Sequence, residues 1–267
     1  MLKDVTLGQY FPGDTAVHRL DPRTKLIATA LFIAALFTAN GWAGYALVTA
    51  SLAAVMAVSR IAPRAVLKGL KPLVYIIVFT AILNLFFTAG DPIFQLGFVT
   101  VTRQGLRNAI YMVLRVMLLV AGTFLLTYTT SPLAITDGLE RLLTPLKKLH
   151  VPVYELSLMM SIALRFIPTL ITETDRIMSA QKARGADFET GKLTDRAKAL
   201  LPLLIPLFVS AFRRADELAV AMECRCYNGG RGRTRMKQLH LAGRDFIAFF
   251  LSAALLAAVI VLRSFGL

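Results

Sequence analysis

TLITETDRIMSAQKARGADF (169–188) and SAFRRADELAVAMECRCYNG (210–229) are two related stretches, offset by 41 residues, in the C-terminal part of the chain. When they are aligned, Asp175 meets Asp216 and Arg184 meets Arg225. A proline-containing apolar run precedes each copy. The pattern predicts two long helices of similar design, apolar at the start, amphipathic further on, and carrying an arginine near the tip. Two matching tips in one chain suggest two equivalent docking points for other proteins.

The composition around these stretches is typical of a membrane protein. Of the 267 residues 56% are hydrophobic, the mean hydropathy is +0.63, and several uncharged runs approach the length that spans a bilayer. The formal net charge is +14. However, the basic residues flank apolar runs and no nucleic-acid-binding motif accompanies them. The charge therefore favours positive-inside topology and contact with the lipid bilayer, and we predict no nucleic-acid partner.

Five apolar runs predict an all-α integral membrane protein with about five transmembrane helices. They cover residues 26–39, 42–58, 73–87, 108–130 and 246–262. Asp21 followed by Pro22 predicts the start of the first helix, because aspartate caps helices and proline is tolerated in the first turn. The strongly basic stretch 60–71 is expected in the cytoplasm. It places the N-terminus in the cytoplasm and, with five spans, the C-terminus outside.

Asn84 and Arg115 stand out as strongly polar residues inside the predicted spans, and a loop separates the third span from the fourth. Asn84 in the third span requires a partner helix or water. Arg115 in the fourth span either faces the protein interior or a partner, or extends towards the outer headgroups, and the sequence leaves both alternatives open. The loop 89–106 is expected outside, where its alternating stretch 98–101 suggests a short β-ribbon.

The expected organisation has three parts. Residues 1–130 form an N-terminal membrane region with four spans, 131–243 form a cytoplasmic region with the two arginine-tipped units, and 244–267 form a C-terminal span. Within the middle part, 133–149 predicts an amphipathic helix. The apolar starts of the two units are hydrophobic enough to enter the membrane together, so the number of spans stays open.

The sequence contains no pattern that predicts catalysis, a cofactor or a metal site. Residues 185–194 resemble a phosphate-binding loop, but five residues separate the glycines instead of four and Leu193 follows Lys192. The three histidines are scattered along the chain, and Cys224 and Cys226 lack further ligands nearby. An intramembrane lipid-modifying enzyme is the alternative function, although paired carboxylates and a metal triad are missing from the sequence.

The unit that contains the first arginine resembles the transmembrane T component of energy-coupling factor transporters. The resemblance rests on LRFIP (164–168), ETDR (173–176) and QKARGADF (181–188), and on YFPGD (10–14) and HRLDPRTK (18–25) near the N-terminus. It covers essentially the whole chain. The second motif of this family is usually Ala-Arg-Gly, and here it is Cys-Arg-Cys, with the arginine kept and both neighbours changed.

This resemblance implies a function, partners and site residues. In the family, two ABC-type ATPase subunits bind the long cytoplasmic helices, and a membrane-embedded substrate-binding S component binds the transmembrane face. The chain would then be a non-catalytic coupling subunit of an importer for a vitamin or a trace metal, in the inner (plasma) membrane. The residues implied in ATPase docking are Ala183, Arg184, Gly185, Cys224, Arg225 and Cys226. The alternative is that the two arginines only cap the C-terminal ends of their helices, where a positive charge is favoured.

Overall fold

The computed structural model describes residues 10–88, 91–96, 99–186, 188, 193–229 and 238–266. In this part of the chain the α-helices are α1 (Pro22–Thr38), α2 (Trp42–Ser59), α3 (Pro63–Leu70), α4 (Val74–Phe87), α5 (Arg103–Thr129), α6 (Pro132–Leu143), α7 (Val153–Ala183), α8 (Leu193–Cys224) and α9 (Gly243–Ser264). Strands β1 (Pro92–Leu96) and β2 (Val99–Thr102) form an antiparallel hairpin before α5. The predicted helical class is confirmed, and the hairpin lies where the short ribbon was expected.

Five described helices are long and apolar enough to cross a membrane, which confirms the predicted number. They are α2, the continuous stretch Pro63–Phe87, α5, α7 and α9. By length and composition α7 belongs to this set. Helix α1 has 17 residues, one fewer than α2, and it is not in the set. Helix α7 has 31 residues and begins with an apolar run.

The chain forms two compact units, each described here by itself. The bundle unit lies within Gly8–Leu142 and Gln238–Leu267, and the long-helix unit lies within Leu143–Lys237. In the bundle unit α1 is central, since it packs against α9, α5 and α2. Its Leu36 is completely buried in a hydrophobic core that also contains Tyr45 of α2 and Leu118 of α5. Helix α4 packs along α5.

Glycines allow helix α5 to approach its neighbours closely. A Cβ atom on Gly122 would lie 2.5 Å from the ring of Phe32 in α1. A Cβ atom on Gly105 would lie 2.9 Å from the carbonyl oxygen of Leu85 in α4. Both distances are below van der Waals contact, so these positions require the absence of a side chain. Close approach through small residues is how helices gain packing energy in lipid, where no hydrophobic drive brings them together.

The two polar residues predicted inside spans both find partners within the protein. Arg115 donates from Nε to the hydroxyl of Tyr45 (3.0 Å), and its guanidinium lies over the Tyr45 and Phe37 rings. Of the two alternatives for Arg115, the structure shows the inward-facing one. Asn84 donates its amide to the carbonyl of Thr80 at 2.9 Å. This bond supplies one acceptor from its own helix, and the expectation of a partner helix or water for the rest of the amide stays a prediction.

A buried group of polar residues, here called the end joint, holds the start of α1 against the start of α9. The Asp245 carboxylate accepts the backbone N–H of Asp21 and that of Ala242, both at 2.8 Å. Asp21 caps α1 as predicted, accepting the N–H of Arg23. The Arg23 guanidinium bonds the Asp21 carboxylate and donates to the carbonyl of Leu239. The joint therefore pairs both buried carboxylates with donors, which removes most of the cost of burying them.

Lys25 extends the end joint to the end of α5. Its ammonium group donates to the carbonyl of Thr129 at 2.8 Å and to that of His18 at 3.1 Å. The N–H of Phe11 donates to the carbonyl of Tyr128 at 3.0 Å, and the two rings meet edge to face. Lys25 is buried. Its charge is satisfied by backbone carbonyls instead of by solvent.

Candidate docking site at the helix tips

The two copies of the repeat each form one long helix, as predicted. Helix α7 continues through Pro168, and α8 continues through Pro202 and Pro206. Proline removes one backbone hydrogen bond and kinks a helix. All three prolines precede the repeated amphipathic stretches, so the stretches that lead to the tips are free of this disturbance.

Helices α7 and α8 contact each other at equivalent positions of the repeat. Glu173 of α7 and Arg214 of α8 are related by the same offset of 41 residues, and they form an ion pair at 3.0 Å. A contact between equivalent positions indicates a local pseudo-two-fold relation between the helices. Identical charges would repel at such a place, and here the two copies carry opposite charges. This crossing was missed by the sequence analysis, although the repeat offset could have revealed it.

The two helices cross where Glu173 contacts Arg214, and the two tips lie at equal distances from this crossing point. Gln181, near the end of α7, donates to the carbonyl of Pro202, near the start of α8, at 3.4 Å. Taken with the Glu173–Arg214 pair, this contact shows that the two helices run in opposite directions past each other. Arg184 lies 11 residues after Glu173, and Arg225 lies 11 residues after Arg214. This separation corresponds to a rise of about 16 Å along each helix. The tips therefore extend from the crossing along opposite helix directions.

The first tip ends in a Schellman motif, in which the chain leaves the helix through a left-handed residue. The N–H of Gly185 donates to the carbonyl of Lys182 and that of Ala186 donates to Gln181, both at 3.0 Å. Gly185 has φ +88°, a conformation that glycine adopts without penalty. Arg184 is the C-cap residue of α7 and is exposed.

The second tip repeats this motif with different residues. The N–H of Cys226 donates to the carbonyl of Glu223 at 2.8 Å, and that of Tyr227 donates to Met222 at 3.0 Å. Cys226 has φ +56°, so a cysteine occupies the left-handed position that glycine holds at the first tip. Arg225 follows the end of α8 and is exposed.

The backbone caps both helix ends, so the arginine side chains are not needed for that purpose. Within the described part of the chain, neither the Arg184 nor the Arg225 guanidinium makes a hydrogen bond or an ion pair. Each is held at an exposed helix end with its donors directed to the surroundings. An exposed guanidinium offers several fixed donors for carboxylates or carbonyls of a partner.

The six residues predicted for docking form two groups of three, one at each tip. Ala183, Arg184 and Gly185 end α7, whereas Cys224, Arg225 and Cys226 end α8. All six are exposed. Both thiols are free, as expected for two cysteines so close together at a helix end. Among the described residues, no group of three or more His, Cys, Asp or Glu side chains stands ready to hold a metal ion.

The structure thus defines a helical membrane protein with two exposed arginine tips, and comparison with known proteins names its family. Residues 13–236 match the family of CbiQ cobalt transport proteins. Relatives called energy-coupling factor transporter transmembrane protein EcfT share 51% identity in Clostridium kluyveri, over 98% of each chain, and 51% in Bacillus subtilis, over 97% of this chain and 98% of the relative. The relative from Heliobacterium modesticaldum shares 53% over 92% of each chain.

The chain belongs to this family of transmembrane components of energy-coupling factor transporters. Its relatives are named as membrane components of transporters, which are non-catalytic subunits. The resemblance identified from the motifs near Arg184 and at the N-terminus is therefore confirmed.

Proposed function

We propose that the chain is the coupling subunit of an ATP-driven importer. It transmits ATP hydrolysis by two ABC-type ATPase subunits to a membrane-embedded substrate-binding S component. One ATPase subunit docks at the tip of α7 and the other docks at the tip of α8. The observation that carries the proposal is the pair of equivalent tips, each with an exposed arginine next to a backbone-capped helix end.

The geometry of the long-helix unit suits the transmission of force. Each tip is connected to the crossing by an uninterrupted helical segment without proline. The crossing itself is held by the Glu173–Arg214 ion pair. A rigid helix transfers a displacement at its tip to its other end with little loss, whereas a loop would absorb it. Closure of two ATPase subunits would therefore change the relation between α7 and α8.

The orientation and the cargo form part of the same proposal. The N-terminus lies in the cytoplasm, the chain resides in the plasma membrane, and both tips face the cytoplasm, where the ATPase subunits find ATP. The imported substrate is a vitamin or a trace-metal ion such as cobalt or nickel. The S component selects this substrate, so that the chain itself needs no substrate site.

The test is the double charge reversal Arg184→Glu with Arg225→Glu. A charged contact that is lost at a desolvated interface costs about 2–5 kcal/mol, so the ATPase subunits should no longer be captured with the chain. The variant should still insert into the membrane and hold its small S component. ATP hydrolysis should be uncoupled from uptake in vesicles. Wild-type capture and wild-type uptake by this variant would contradict the proposal.

A further inference from the structure

An apolar groove runs between helices α1, α2, α5 and α9 of the bundle unit. Its volume is about 500 Å³, within the range of small-molecule pockets. Most of its lining is aliphatic or aromatic, and the polar residues that also line it are Lys25, Thr29, Ser51, Thr129, Arg244 and Ser252. Val55 and Val58 of α2 and Ile247 and Leu251 of α9 line it and are exposed. The groove therefore opens sideways, towards the lipid that surrounds a membrane bundle.

The groove lies in one half of the bundle. On α9 it extends from Arg244 to Leu255, a rise of about 16 Å. That distance is about half of the hydrocarbon core and matches one leaflet. On α2 it reaches Val58, next to the turn that contains Arg60. The groove thus ends at the basic end of the bundle.

A positive charge stands at this end without a counter-ion from the protein. Arg244 lines the groove and is exposed, and it makes no ion pair with any residue that the structure describes. The two carboxylates of the end joint are already engaged: Asp245 accepts two backbone N–H groups, and Asp21 is paired with Arg23. An incoming anion would meet the Arg244 guanidinium and would not have to displace an internal partner.

We propose that this groove binds one acyl chain of an anionic phospholipid, with the phosphate of its headgroup at Arg244. The apolar walls and the sideways opening suit a hydrocarbon chain, and the arginine at the headgroup end selects a negative charge. A polar ligand would lose its hydration along the walls without regaining hydrogen bonds.

The test places a single tryptophan at the mouth of the groove. Trp42 is the chain's only tryptophan, so Trp42→Phe gives a background without tryptophan. In this background Ile247→Trp places the reporter at the groove, and Phe250→Trp places it one turn further on, outside the lining. The full chain is reconstituted in vesicles with phosphatidylglycerol or phosphatidylcholine that carries brominated, fluorescence-quenching acyl chains. At position 247 the anionic lipid should be preferred about fivefold, since one arginine near the membrane surface contributes about 1 kcal/mol. At position 250 the preference should be near one.

Two arginines of α9 provide the matched controls. Arg244→Gln should reduce the preference at position 247 to that at position 250. Arg263→Gln, at the other end of the same helix, should leave it unchanged. Equal preference at the two reporter positions, or a preference that survives Arg244→Gln, would overturn the proposal.

A second measurement does not require a reporter. Native mass spectrometry of the otherwise unaltered chain, released from mixed vesicles, should show one retained anionic lipid. Ala248→Phe fills the groove and should abolish this retention, whereas Ala257→Phe, exposed further along α9 and outside the lining, should preserve it. Retention by both variants would show that the lipid binds elsewhere and would reject the groove as its site.

Discussion

The two helix tips have the same backbone and different side chains. Each ends in the same pair of hydrogen bonds, yet the left-handed residue is Gly185 at the first tip and Cys226 at the second. The position three residues earlier is Lys182 at the first tip and Glu223 at the second. The arginine is the charged residue that the two tips share.

This difference shows what is constant at the two tips. A residue with a Cβ atom pays about 1–2 kcal/mol in the left-handed conformation, and Cys226 adopts it nonetheless. The second tip therefore keeps the shape of the motif although its sequence has departed from the favoured glycine. Both tips present an exposed arginine, and the chain turns away directly after it.

The strongest test of the comparison is to reverse one charge at a time. Arg184→Glu and Arg225→Glu should each weaken ATPase binding by orders of magnitude, because each loses a contact of about 2–5 kcal/mol. If the tips are equivalent, the two losses should be similar, as measured by titration of purified ATPase subunits against the chain in detergent. A large loss at one tip with none at the other would break the equivalence.

Exposed arginines on the same helices provide the controls for these reversals. Arg176 lies on α7 and Arg213 lies on α8, both exposed and both before the tips. Arg176→Glu and Arg213→Glu make the same change in net charge as the tip variants. They should reduce binding only slightly, so that the effect is assigned to the tips and not to the overall charge.

A milder test keeps the charge and changes its shape. Lysine at position 184 or 225 retains the positive charge but loses the planar fork of donors. Each substitution should weaken ATPase binding by about 1 kcal/mol, the order of one hydrogen bond, and uptake should continue at a reduced rate. If lysine is as damaging as glutamate, the geometry of the guanidinium and not its charge determines docking.

The smallest effect should come from exchanging the left-handed residues. Gly185→Cys should destabilise the last turn of α7 by about 1 kcal/mol, and Cys226→Gly should stabilise that of α8 by a similar or smaller amount. No atom lies within 4 Å of a Cβ built on Gly185, so the cost arises in the backbone alone. Hydrogen exchange of the amides at each tip measures both changes.

A double substitution at the second tip tests whether the two cysteines have a chemical role. Cys224→Ala with Cys226→Gly restores the triplet that is usual in the family. It should preserve ATPase binding and uptake, because both thiols are free and exposed. Loss of uptake in a folded and inserted protein would show that the thiols do more than fill their positions.

Several features followed from the sequence because neighbouring residues determine them. The helix start at Asp21 and Pro22 depends on a cap and a ring that act within one turn. The end of α7 at Gly185 depends on the one residue that is free of a Cβ penalty. The end of α8 was harder to predict, since Cys226 gives no such signal. The repeat located it, because the alignment places the end of α8 at the position that corresponds to the end of α7.

Features that join distant parts of the chain could not be predicted in this way. The sequence left two orientations open for the Arg115 side chain. Its hydrogen-bond partner Tyr45, which lies 70 residues away in the sequence, became known only from the structure. The acceptors of the Lys25 ammonium group include the carbonyl of Thr129, 104 residues away in the sequence.

The helical membrane class, the duplicated long helices, the two arginine tips and the family could all be predicted from the sequence. These features depend on hydrophobic runs, local capping and an internal repeat, all of which can be recognised without knowing which helices are in contact. The folded chain was needed to show that Glu173 contacts Arg214, that Asp245 bonds Asp21 across 224 residues, and that a groove opens beside Arg244. Such contacts depend on how helices pack, and packing depends on the shapes of many side chains at once.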